Sequence, residues 1–237
     1  MRRRIRVLVL ALVALGPAWL KLLVYRRCFG YRIGKDVRIG VAVLDCQSLA
    51  IGEGARIGHG SAFWRCGEVV IGQKVDIGYL NLFRGGKRIQ LDDYAMLLRS
   101  NVINAIIEPH FQREPRSCFR LGYGSVITAE HRIDFTEEVS IGSRTILGGR
   151  NSSIWTHNRR NGEPVTIGDS CYVGSEIRMA PGSSIPSRSI VGLGSVVTSK
   201  LDLEGYLIAG VPARPVRPLT DEDRDLLADP TRLDLPE

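Results

Sequence analysis

Aromatic residues are sparse in this chain, with three Trp, seven Tyr and six Phe among 237 residues. Binding of single-stranded nucleic acid combines basic grooves with stacking rings. No stretch between residues 32 and 218 gathers such a cluster, so no nucleic-acid partner is expected. The five cysteines, Cys28, Cys46, Cys66, Cys118 and Cys171, are odd in number and include no C-x-x-C pair. That spacing excludes a zinc ribbon and a disulfide framework. Reduced thiols favour a cytoplasmic location over an oxidising one. Histidine is scarce too, with His59, His110, His131 and His157, so any cluster of histidine ligands would use most of the supply, and no metal is expected.

No apolar run reaches the length of a membrane span. VLVLALVALGPAWL, between Arg6 and Lys21, is fourteen residues long and is broken by Gly16 and Pro17, whereas a spanning helix needs about 20. The segment is strongly basic: Arg2, Arg3, Arg4, Arg6, Lys21, Arg26 and Arg27 fall within the first 27 residues, with no acid. Residues 219–237 hold seven acids against Arg224 and Arg232, so the overall charge of +7 describes the body poorly. Residues 1–31 are expected to form a basic, apolar helix lying on the inner face of a membrane. A signal anchor, a cleaved signal and a plain packing helix stay open beside that reading. Residues 218–237 form an acidic tail, in which TDEDRDLLA reads as a short helix capped by Thr220.

From residue 32 an aliphatic residue followed by Gly recurs, often at steps of six: Ile33-Gly34, Ile39-Gly40, Ile51-Gly52, Ile57-Gly58, Ile71-Gly72, Ile77-Gly78 and onward. The cleanest ladder is Ile167, Val173, Met179, Ile185, Val191, Val197 and Leu203. Six is a multiple of the strand period of two and not of the helical 3.6, so residues six apart share a face only in extended chain. Positions two before the ladder should then also point inward, and Val165, Cys171, Ile177, Ser183, Ser189 and Ser195 are all apolar or small. Glycine after the ladder residue is expected to let the backbone turn a corner. Short straight segments joined at corners give an all-β chain, a parallel β-helix with about eighteen residues per coil, spanning 32–217.

The register slips. Ile33, Ile39, Ile51 and Ile57 share one phase, Ile71, Ile77, Phe83 and Ile89 a second, and Leu91, Leu97, Ile103, Leu121, Ile127 and Ile133 a third. Each slip predicts a bulge or loop. Residues 104–119 and 156–164 fit no hexad and are expected to leave the coil as excursions, where function tends to sit.

The second excursion holds His157. Acyl transfer from a thioester to a hydroxyl needs a base for the acceptor proton, and imidazole titrates in the right range. A surface histidine bonded to a carbonyl fits the spacing equally well. What favours the catalytic reading is a resemblance: THN, GEPVTIGDSCYVGS, MAPGSSIP, IVGLGSVVTSK and IAGVPARPVR, within residues 121–217, resemble the galactoside, maltose and polysaccharide O-acetyltransferases of the hexapeptide-repeat family. The resemblance implies a left-handed coil, although the usual rule for parallel crossovers is right-handed. It also implies His157 as general base and acetyl-CoA as donor. Ser175, Leu193, Gly194 and Thr198 match coenzyme-binding positions, with Lys200 and Arg217 for its phosphates or adenine. Ser199 stands where a basic residue is usual, which weakens Lys200. Corner geometry alone would also explain Ser175 and Gly194, and Arg217 would serve equally to hold the acidic tail.

For the acceptor, the resemblance points to Glu130 or His131, standing where relatives carry Asn. Trp155 and Asn158, beside His157, complete the expected sugar site, while Trp64 reads as a cover for the coils. His131 suits a structural role as well as a functional one. The expected activity is acetyl transfer to a sugar hydroxyl, such as one on a surface-polysaccharide or lipid-linked glycan precursor, by a homotrimer. The alternatives are a non-catalytic β-helix scaffold and a metal-dependent lyase of the γ-carbonic-anhydrase type on the same coil.

Overall fold

A computed structural model of the chain describes residues 3–107, 115–159 and 161–227. Two helices open it, α1 (Arg3–Leu15) and α2 (Ala18–Cys28). A left-handed parallel β-helix of about eight turns follows, and a five-residue helix α3 (Asp221–Asp225) lies near the end of the described chain. Among the described residues no helix is long and apolar enough to cross a membrane.

Each coil has three flat faces. Face one stacks Ile39, Ile57, Ile77, Leu97, Ile127, Leu147, Val173, Val191 and Ile208. Face two stacks Leu44, Phe63, Phe83, Ile103, Ile133, Ile154, Met179 and Val197. Face three stacks Ile33, Ile51, Ile71, Leu91, Leu121, Ile141, Ile167 and Ile185. Register places like on like, so the core is three columns of aliphatic and phenyl side chains. Phe63 and Phe83, for example, stack with ring centroids 4.3 Å apart. Burying each such side chain contributes roughly 1.5–3 kcal/mol.

The second inward row is buried as the strand period requires: Val165, Cys171, Ile177, Ser183, Ser189 and Ser195 all lie in the interior. The ladder holds through Val197 but not at Leu203, which is 51% exposed. Past Val197 the chain crosses over the last turn instead: Leu201 N–H donates to the Ser184 carbonyl at 3.2 Å. With no further coil to bury it, Leu203 points to solvent.

The slips between the three phases share one cause. From face two to face three the chain takes eight residues rather than six between Phe63 and Ile71, Phe83 and Leu91, and Ile133 and Ile141. The extra pair lies at the same corner each time. Both expected excursions leave from that corner, the first between strands Val102–Asn104 and Cys118–Leu121 and the second between strands Ser153–Ile154 and Val165–Ile167. Asn104, Cys118 and Phe119, expected in the first excursion, belong to the coil. His110 lies outside the described residues.

Glycine after the ladder residue has a different purpose from the one expected. Gly52 and Gly122 are absent from the positive-φ positions. A Cβ on Gly52 would sit 2.5 Å from the carbonyl carbon of Gly72, and one on Gly122 2.5 Å from that of Gly142. The requirement is close approach of the neighbouring coil. The left-handed turns fall elsewhere, at Glu130 and Asn151 among others.

The last strands reverse. Ala213–Pro218 pairs antiparallel with Tyr206–Gly210, which itself continues face one. Beyond it Thr220 caps α3 with its side chain, which accepts from Asp223 N–H.

Candidate active site

The corner between faces two and three gathers the polar groups around His157. Asp134 follows the inward Ile133 on face two, and its carboxylate is nearly buried. One oxygen, Oδ1, accepts from His157 Nδ1 at 2.8 Å and from the Thr156 hydroxyl at 2.7 Å. It also receives the Thr136 N–H at 3.2 Å, while Oδ2 accepts from the Thr136 hydroxyl at 2.9 Å. With hydroxyl and peptide donors around it, the carboxylate acts here as the acceptor. The proton on His157 therefore sits on Nδ1, and Nε2 is the basic nitrogen.

The loop that carries His157 is a tight hairpin rather than an open excursion. His157 pairs with Gly162, Asn158 N–H donates to the Asn161 carbonyl at 2.9 Å, and Glu163 N–H donates to the Thr156 carbonyl at 2.8 Å. Thr156, fully buried, anchors the base of the hairpin by also accepting from Glu137 N–H at 3.0 Å. The imidazole is held at both its backbone and its Nδ1, with about a fifth of the side chain exposed. Trp155 stands edge-on to it, ring centroids 6.4 Å apart, and is 48% exposed, so an apolar ring face borders the base.

The other predicted residues divide. Asn158 spends its side-chain oxygen on the turn, accepting from Asn161 N–H at 2.9 Å. His131 is corrected: it is wholly buried inside the coil. Its Nδ1 accepts from Ser152 N–H at 3.2 Å and its Nε2 faces the Thr128 hydroxyl at 3.0 Å. Contact with an acceptor is closed to it. Burial pushes its pKa down to about 4, against the opposing effect of a hydrogen bond to the Leu147 carbonyl. Glu130, beside it, points outward into a cleft of about 300 Å³ with Arg132, Asn151, Glu176 and Arg178.

Ser175, Leu193 and Gly194 stand with Glu130 at the corner between faces one and two. Gly194 N–H donates to the Ser175 carbonyl at 2.9 Å, and Leu193 and Gly194 are exposed. Across face two, four residues of strand separate this corner from the His157 column, about 13 Å at the strand rise. Thr198 lies on the His157 side, in the column of Trp155 and Ala180, joined to it by the bonds Trp155 N–H to Met179 O and Ala180 N–H to Val197 O. Lys200 is exposed beyond it. Arg217 holds the acidic tail, with two nitrogens on the Asp223 carboxylate at 2.5 and 3.2 Å, so a phosphate role would require that pair to open.

Asp134 and Thr156 are the residues that spacing did not indicate. A groove of about 820 Å³ lies away from this site, over the first coils of face one beside Lys21, Arg38, Arg56, His59, Tyr79 and Arg99. None of the predicted site residues lines it. Among the described residues no three His, Cys, Asp or Glu side chains converge.

No family model matches the chain. The galactoside O-acetyltransferase of Escherichia coli K12 is 29% identical over 110 residues, which take in 45% of this chain and 54% of that protein. The chain thus spans about half the length of that relative. Among solved structures, the polysialic acid O-acetyltransferase OatWY superposes with a TM-score of 0.60 at 17% identity, over 79% of this chain and 88% of that one. The UDP-N-acetylglucosamine acyltransferase of Francisella novicida also gives 0.60, at 12% identity, over 82% and 70%. At those identities the superpositions establish the fold, while the curated relative carries the sequence likeness. The chain is thus similar in sequence to a galactoside O-acetyltransferase over about half of that protein, and its coil has the fold of the solved hexapeptide-repeat acyltransferases.

Proposed function

We propose that the chain transfers an acetyl group from acetyl-CoA to a hydroxyl of a sugar, with His157 as general base. The observation that supports it most directly is the Asp134–His157 pair, which fixes the tautomer with Nε2 basic. In this reading the acceptor oxygen attacks the thioester carbonyl as its proton passes to Nε2. The tetrahedral intermediate then collapses with cleavage of the C–S bond, and the imidazolium returns the proton to the departing thiolate. Asp134 stabilises the imidazolium in between. No acyl-enzyme is needed.

Trp155 offers its exposed ring to the acceptor. Half-buried Ser175 and exposed Leu193, Gly194 and Thr198 lie on the coil surface that the extended donor would follow. Most of them stand across face two from His157, so one chain does not surround a single point with donor and base. A cyclic trimer, as the family resemblance implies, would set the corner of one subunit against the His157 corner of its neighbour. A surface-polysaccharide or lipid-linked glycan precursor is the proposed acceptor class, and the inner membrane face the proposed location.

The test is release of coenzyme A from acetyl-CoA by the purified chain across a panel of sugar acceptors. His157→Ala is expected to lower kcat at least about a hundredfold, equivalent to about 2.7 kcal/mol, with melting temperature unchanged. Full activity in that variant would remove His157 from the mechanism. Stabilisation by zinc and not by coenzyme A would favour the lyase instead, and a response to neither would favour the scaffold.

A further inference from the structure

The two N-terminal helices have an inner and an outer side. On α1, Leu10 and Ala14 are buried against the first coils, and Arg6 reaches in to Asp45 at 2.7 Å and to the Cys46 carbonyl at 2.6 Å. On α2, Tyr25 is fully buried, and Lys21 is buried with its ammonium on the Gly40 carbonyl at 2.7 Å. The opposite side is apolar and uncovered. Leu8, Leu12 and Leu15 are 65%, 71% and 74% exposed, and Trp19 and Leu23 are 67% and 49% exposed. Positions 8, 12 and 15, and then 19 and 23, repeat at three or four residues, so on each helix they form one stripe.

Such a stripe requires an occupant, and charge selects it. The first 35 residues hold nine basic residues and no acidic one, and with Arg6 paired to Asp45 and Lys21 buried, seven remain to set the charge of this end. Two copies joined through these helices would bring like charges together, whereas an anionic surface would neutralise them. At 13 and 11 residues the helices are about 20 and 17 Å long, short of the roughly 30 Å hydrocarbon core. Both are pinned by buried contacts to the β-helix, so neither is available to insert end-on. Arg27, exposed in the last turn of α2, follows Trp19 and Leu23, an order that suits a headgroup boundary, where an indole sits at the interface and cations meet lipid phosphates.

From this placement we infer that the Leu8-Leu12-Leu15 and Trp19-Leu23 stripes seat the protein flat on an anionic bilayer, with the β-helix above the surface. The inference is independent of the acetyl-transfer reading. Vesicle co-sedimentation of the full chain tests it, comparing phosphatidylcholine vesicles with vesicles containing about a third phosphatidylglycerol, alongside light scattering for oligomeric state. Wild type is expected to pellet with the anionic vesicles and only weakly with the neutral ones. Leu12→Glu with Trp19→Glu is expected to reduce binding at least about tenfold while mass and melting temperature stay the same. Wild type left in the supernatant would overturn the inference, as would undiminished binding by the variant. A variant that loses oligomeric mass would assign the stripe to a subunit contact instead.

Discussion

Both edges of face two carry a histidine, His131 at the corner with face one and His157 at the corner with face three, and their surroundings give them opposite chemistry. At the first corner a polar column runs up the inside of the coil. Asn81 N–H donates to Ser61 Oγ, Asn101 N–H to Asn81 Oδ1, His131 N–H to Asn101 Oδ1, Ser152 N–H to His131 Nδ1 and Ile177 N–H to Ser152 Oγ. Each side chain accepts the backbone donor of the next coil, which would otherwise be buried without a partner. His131 is one rung of this column. Its Nδ1 must stay unprotonated to accept, and burial keeps it so. At the second corner the coil is wider, the loop leaves the surface, and Asp134 supplies a charge that holds a proton on Nδ1 of His157. One ring has its basic nitrogen directed inward to a peptide N–H, while the other keeps Nε2 as its basic nitrogen.

The contrast can be broken first at the second corner. Asp134→Asn keeps the size of the side chain, but its amide can donate to Nδ1 and select the wrong tautomer. Acetyl transfer in that variant is expected to fall by about a hundredfold in kcat with KM little changed, since the loss is in proton transfer and not in binding. An unchanged kcat would detach Asp134 from His157. At the first corner the effect is on stability. His131→Leu leaves Ser152 N–H buried without an acceptor, at a cost of roughly 1–3 kcal/mol, visible as a lower urea midpoint. His131→Asn continues the column set by Asn81 and Asn101, and should lose less than about half as much.

The comparison is sharpened further by pH. The folded pKa of His131 lies near 4, below the unfolded value of about 6.5, so the unfolded chain binds the proton more readily. The stability contributed by a neutral His131 is complete above about pH 6.5 and drains away as pH falls toward 4. Between pH 7 and 5 the loss is about 2 kcal/mol. Urea melts at both values, on wild type and on His131→Asn, should show the variant with the flatter dependence. Equal slopes would show that other groups govern acid sensitivity.

Much of this was written in one dimension. A six-residue ladder needs only local strand geometry and stacking, so Ile167 to Val197 could be assigned a face directly, as could the inward row beginning at Val165. The hairpin with His157 was visible as a break in that ladder. Asp134 was not, because its partner lies 23 residues away and the two meet only once the coils are stacked in register. His131 stood in the sequence as a residue of two readings. Its place two residues before the ladder residue Ile133, like that of Asn101 before Ile103, marks it as inward, but the bonds that satisfy it, to Asn101 and Ser152, exist only once the coils are stacked. Leu203 kept the period and left the core because the chain ran out of coils to cover it.

The antiparallel strand Ala213–Pro218 has a consequence for assembly in bulk. A parallel β-helix ends in open strand edges, and every coil is a template for another. Here the final coil is met on face one by a strand running the wrong way, while Leu201 lies across the face-three edge at Ser184. End-to-end growth into a fibre, the route an uncapped solenoid would offer, is blocked along these two edges by the chain's own last turn.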